Sequence, residues 1–158
     1  MKVIGIIGHK NAGKTTLAER LVRHLTGQGL IVSTLKRTHH DVDLEVPGTD
    51  THRHRQAGAH QVMLASDARL TLMQELQAPE PLEGVLARLA PCDIVIAEGW
   101  KSGSHLRIEA WRQACGAPPL CLSDPTIAAL ASDVPQAVGQ PRFDLDAIAD
   151  IAEFACST

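Results

Sequence analysis

The chain has 158 residues, the size of one ordinary globular domain, and can bury roughly 70% of its unfolded surface without disulfide or metal staples. Its 15 basic and 18 acidic residues give a formal net charge of −3, which argues against a nucleic-acid footprint, and no stretch approaches the ~18 apolar residues that span a membrane. Aromatics are only 3%, so the core has to be aliphatic, and the four cysteines (Cys92, Cys115, Cys121, Cys156) form no C-x-x-C pair and read as reduced thiols of a cytoplasmic protein.

The first element is V-I-G-I-I (3–7), an apolar run too short for a signal peptide and suited to a strand buried on both faces of a parallel sheet. A Gly-rich turn follows. Leu17, Leu21, Val22 and Leu25 then recur at helical spacing, and Gly27 and Gly29 stop that helix. Residues 30–35 read as a second strand, so the first 35 residues form a right-handed βαβ unit with parallel strands. From Lys36 to Arg55 the chain is rich in His and Asp and broken by Pro47-Gly48, a long loop of the kind that is usually functional. A short helix capped at Thr49 or Asp50 ends at Gly58. Residues 60–65 and 69–73 read as two strands joined across Ser66-Asp67, an antiparallel addition to the sheet. Leu82, Val85, Leu86 and Leu89 mark another helix. Residues 94–97 form a fully apolar strand ending at Glu98-Gly99, and 106–111 alternate as an edge strand would. Residues 127–131 are a last buried strand, and 146–154 a closing helix. No repeat or linker divides the chain, which predicts a single nucleotide-binding domain over residues 1–158.

The Gly-rich turn carries the chemistry. G-H-K-N-A-G-K-T, Gly8 to Thr15, matches G-x-x-x-x-G-K-[ST] in full, after a buried strand and before a helix. Gly8 and Gly13 let the backbone wrap closely around phosphate. The backbone of His9, Lys10, Asn11, Ala12 and Gly13, together with the helix N-terminus, turns positive charge toward the anion. Lys14 reaches the β- and γ-phosphates, the Thr15 hydroxyl binds Mg²⁺, and Thr16 adds a contact to the α-phosphate. These features predict an α/β fold of the P-loop NTPase type, three-layered, with a mainly parallel sheet and an antiparallel addition. Such a loop needs a carboxylate at the end of a neighbouring strand, close to the metal, and Glu98 is placed to supply it. Asp41 and Asp43, in the loop after the second strand, are candidates to sense or activate the γ-phosphate. Arg53 and Arg55 follow, and arginines there would clamp phosphate.

The P-loop, the segment K-R-T-H-H-D-V-D-L-E-V-P-G-T-D-T-H-R-H-R-Q-A-G-A (36–59), E-G-W-K (98–101) and A-S-D-V-P (131–135) together resemble the MobB family. These are the accessory GTP-binding proteins of molybdopterin-guanine dinucleotide biosynthesis. The sequence departs from the family's pattern at Arg37, where His is usual, at Thr49, where Lys is usual, and at Trp100 in place of Phe. The resemblance implies GTP with Mg²⁺, weak GTP hydrolysis, a homodimer, and partnership with the guanylyltransferase that attaches GMP to molybdopterin. The usual N-K-x-D guanine motif is impossible, since Asn11 is the only Asn in the chain. A carboxylate can accept both N1–H and N2–H₂ of guanine, and Asp133, just past the last buried strand, is the candidate. Two other readings use the same loop. A small P-loop kinase would take Asp41 as base and Arg53 and Arg55 as lid arginines. A metal-delivery GTPase would use His39, His40, His52 and His54.

Overall fold

The computed structural model describes residues 1–38, 40 and 42–158. In chain order the elements are β1 (Lys2–Ile7), α1 (Lys14–Gly27), β2 (Val32–Lys36), α2 (Asp50–Gln56), β3 (Gln61–Ala65), β4 (Leu70–Gln74), α3 (Leu82–Leu86), β5 (Ile94–Glu98), β6 (Leu106–Trp111), β7 (Ala129–Ser132), β8 (Arg142–Asp144) and α4 (Ile148–Ser157). They fall into two compact units, one of residues 1–38 and 86–158 and one of residues 39–85.

The larger unit is built on a six-stranded sheet in the order β2-β5-β1-β6-β7-β8, with every neighbouring pair parallel. Alternate side chains of a strand point to opposite faces. On one face Ile4, Ile6, Ile94, Ile96, Ile108 and Ala129 meet Leu17, Leu21 and Leu25 of α1 and Ile151, Ala152 and Ala155 of α4. The three α1 leucines are four residues apart, so they lie on one stripe of the helix, and each is at most 1% exposed. Burying each contributes about 1.5–3 kcal/mol. On the other face Ile7, Trp111 and Leu130 meet Cys121 and Ile127, supplied by a connection that makes two 3-10 turns (Gln113–Cys115 and Leu120–Leu122).

The sheet differs from the sequence reading in two places. β6 is not an edge strand; it lies between β1 and β7. Its alternation comes from Arg107 and Glu109, which are 6% and 0% exposed. Arg107 pairs with Asp124 at 3.1 Å and donates to Thr126 and to the Lys101 carbonyl. Glu109 accepts the backbone N–H groups of Leu120 at 2.7 Å and Cys121 at 2.9 Å. Both carboxylate oxygens of Glu109 and both terminal nitrogens of Arg107 thus find partners within the protein, although Arg107 Nε is buried without one. The edge opposite β2 is instead the three-residue β8, R-F-D, whose single apolar residue gives no periodic signal.

In the smaller unit β3 and β4 pair antiparallel, with Val62 opposite Met73 and Leu64 opposite Thr71. The expected hairpin is present, but it forms a two-stranded sheet of its own instead of extending the main one. Thr49 is the N-cap of α2, although its hydroxyl donates to the Val46 carbonyl at 2.9 Å and not to the helix. Arg55 ties this unit together, donating to Glu45 at 2.6 Å, to Glu75 at 3.2 Å and to Asp43.

Candidate functional site

β1 delivers the chain to the cradle between its neighbours β5 and β6. At Gly8 (φ 144°) a Cβ would sit 2.2 Å from the Ala110 carbonyl oxygen, so only glycine allows β1 to leave the sheet there. Asn11 (φ 63°) and Gly13 (φ 92°) are also left-handed, and Gly13 is the N-cap of α1. Such a run turns successive N–H groups toward one centre, where they add to the helix N-terminus as an anion nest. Ala12 is fully buried and fixes the loop to the core. The His9 ring bonds the Pro118 carbonyl at 3.0 Å, which joins the loop to the connection after β6.

Lys14 is part-buried, not extended into solvent, and donates to the His9 carbonyl at 2.6 Å. Burial lowers its pKa below the ordinary lysine value; Glu98 opposes that shift, while Lys101 and Lys36 reinforce it. Three lysines thus share one field, an arrangement that a multiply charged anion relieves. The Thr15 hydroxyl lies 3.1 Å from both carboxylate oxygens of Glu98, and Lys36 Nζ is 3.5 Å from Oε1. The sheet explains the pairing: Glu98 stands opposite Ile6 on β1 and opposite Lys36 on β2. A hydroxyl and a carboxylate are hard oxygen donors, the set that suits Mg²⁺ when phosphate and water complete the shell.

Residues 9–16 and Glu98 therefore converge in the larger unit. Asp133 belongs to the same unit; it is exposed just past β7, and its Oδ1 accepts the Gln113 N–H at 3.0 Å, a turn-capping contact. Arg53 is exposed on α2 of the smaller unit. Arg55 is engaged by three carboxylates, so a lid role for it would require breaking those pairs. His39 and Asp41 lie outside the described residues. Among the described residues no three His, Cys, Asp or Glu side chains converge as a metal site, and His52 Nδ1 accepts the Gly48 N–H at 3.2 Å. The sequence reading missed Arg112, which lines the cradle with residues 11–16. Taking β6 as an edge strand hid it, because only a strand beside β1 delivers its next residue to the loop.

The sequence profile described as molybdopterin guanine dinucleotide synthesis protein B matches residues 3–133, a span that holds the cradle, Glu98 and Asp133. The chain belongs to the MobB family. The molybdopterin-guanine dinucleotide biosynthesis adapter protein of Haemophilus influenzae is 32% identical over 154 residues, covering 96% of this chain and 86% of that protein. Its namesake in Escherichia coli is 33% identical over 147 residues, covering 90% and 84%. A crystal structure of molybdopterin-guanine biosynthesis protein B matches with a TM-score of 0.77 at 26% identity over 98% of both chains. The MobB homologue from Bacillus stearothermophilus matches with 0.75 at 24% identity over 100% of both, which speaks to the fold alone. The family resemblance and the α/β P-loop fold with its mainly parallel sheet are both borne out. Membership of a P-loop family makes the cradle a nucleotide-binding element.

Proposed function

We propose that this chain is a GTP-binding adapter of molybdopterin-guanine dinucleotide synthesis, working beside the guanylyltransferase that joins GMP to molybdopterin. The observation that carries the reading is the Thr15–Glu98 contact at the mouth of a lysine-rich anion nest. Lys14 would hold the β- and γ-phosphates, Thr15 and Glu98 would hold Mg²⁺, and Asp133 would offer its free oxygen to guanine. On sequence grounds Asp41 takes the part of γ-phosphate sensor and Arg53 that of a phosphate contact. Hydrolysis is slow in this reading, because lysine and threonine stabilise a bound phosphate without orienting water. A homodimer fits the smaller unit, whose hairpin exposes Met63, Leu64, Leu70 and Leu72. The four free cysteines suit a reducing cytoplasm.

Calorimetry with GTP, GDP and ATP, with and without Mg²⁺, tests the reading. GTP should bind at least about tenfold more tightly than ATP, about 1.4 kcal/mol. Glu98→Gln should weaken the Mg²⁺ dependence more than metal-free binding, and Asp133→Asn should shrink the preference for GTP. Equal affinity for ATP and GTP in the wild type would sink the guanine assignment. An unchanged Mg²⁺ titration in Glu98→Gln would reduce Glu98 to a strand end.

A further inference from the structure

Arg112 is the first residue beyond β6 and enters the cradle from the strand next to β1. Its guanidinium lies across Gly13: a Cβ there would be 2.9 Å from Nε and 3.4 Å from Nη2. Nε is buried without a hydrogen-bond partner, and among the described residues no carboxylate pairs with this side chain. Asp133 turns its Oδ1 to the Gln113 N–H instead. A planar cation with five donors, set against a phosphate loop and lacking an anion, is a receptor for one.

The position of Arg112 says which part of the anion it would meet. Two cavities flank Thr15. One, about 270 Å³, lies between α1 and the sheet, where Ala18, Val22, Leu35 and Ile96 line it together with Lys36 and the Thr15–Glu98 pair that would take the metal. The other, about 360 Å³, is lined by residues 11–16 and Arg112. It contains Lys14 and Thr16 but neither Glu98 nor Lys36, so in the nucleotide reading it takes the β- and α-phosphates, away from the Glu98 carboxylate. We propose that Arg112 binds the α- and β-phosphates from that side, a second cationic contact beside Lys14 and away from the metal. An arginine serving the γ-phosphate would stand beside Glu98. This assignment rests on the nucleotide reading of the cradle and adds a residue to it.

The test is calorimetry of wild type, Arg112→Ala and Arg112→Gln with GTP, GDP and inorganic pyrophosphate, alongside thermal unfolding. Failure of the wild type to bind any nucleotide would refute the parent reading before the variants are compared. Otherwise the Arg112 variants should lose about tenfold or more in affinity, the scale of a charge-assisted hydrogen bond. The factor should be the same for GTP, GDP and pyrophosphate, with unfolding midpoints and Mg²⁺ dependence as in wild type. Unchanged affinities overturn the proposal. So does a loss confined to GTP, which would mark a γ-phosphate contact. A loss for both nucleotides with pyrophosphate unaffected would mark a contact to the nucleoside and overturn it equally. Arg112→Gln keeps a planar polar group, so it carries the test if the alanine variant does not fold.

Discussion

Burial removes water from Lys14 and so lowers its pKa; Glu98 pulls the other way, and the like charges of Lys101 and Lys36 add to the lowering. In the empty protein this lysine gives up its proton at lower pH than an exposed one, and the unfolded chain there binds more protons than the folded one. Stability of the nucleotide-free protein accordingly rises with pH through that window. Binding has the opposite sign, because a phosphate restores the lysine's charge. Nucleotide binding should therefore take up protons between the lowered pKa of Lys14 and the ordinary lysine value, and affinity should fall as pH rises across that range. Calorimetry in buffers of different ionisation enthalpy reads the uptake. Lys14→Ala should abolish it along with tight triphosphate binding, and uptake that persists in the variant would move the titration to another group. The place of Lys14 at the start of α1 was legible in eight consecutive residues, since the loop motif sets it between a strand and a helix. Its contact with the His9 carbonyl was not, because that contact depends on how the loop folds back over the start of α1.

At the scale of elements, β6 shows why a polar residue in a strand is ambiguous. The rule that alternation means one wet face assumes that water is the partner of every polar side chain. Glu109 is fully buried, and its partners are the N–H groups of Leu120 and Cys121, eleven and twelve residues further on. No local pattern announces a partner at that distance. The same carboxylate, after burial itself, helps push the Cys121 thiol up to about 11, which keeps it protonated and inert. Glu109→Ala should cost about 3 kcal/mol, because two buried donors lose their acceptor and a void is left. Glu109→Gln should cost less, since its amide oxygen still accepts one N–H. Urea unfolding measures both, and a neutral alanine variant would show that the connection over the sheet holds without this anchor. Strands β1, β5 and β7 were legible because apolar runs buried on both faces leave no such ambiguity. The edge strand β8 was not, since three residues with one phenylalanine carry no period.

At the scale of the whole molecule, chemistry and family signature fall in different units. The cradle, Glu98 and Arg112 belong to the sheet unit, whereas most of the segment that distinguishes this family from other P-loop proteins lies within residues 39–85. That smaller unit is internally tied at neutral pH. The Glu45 N–H and then Arg55 hold the Asp43 carboxyl below the usual range, and Arg55 does the same for Glu45. These ties are complete above the ordinary carboxylate pKa and are lost as pH falls through the lowered values. Arg55 is thus occupied in holding the unit together, while its neighbour Arg53 is exposed on the same helix. Under the adapter reading, the exposed arginine is where a change should affect the partner without abolishing GTP binding. Adding the protein to a guanylyltransferase with molybdopterin and GTP should raise formation of the dinucleotide. Arg53→Ala should reduce that gain severalfold without abolishing GTP binding, measured on the isolated protein. The isolated protein should hydrolyse GTP well below ~1 s⁻¹, the low end of ordinary enzymes. Rapid turnover by the protein alone, or phosphorylation of a small substrate, would overturn the adapter reading in favour of a kinase. An Arg53→Ala protein that stimulates the transferase as well as wild type would clear that helix and direct attention to the exposed apolar hairpin.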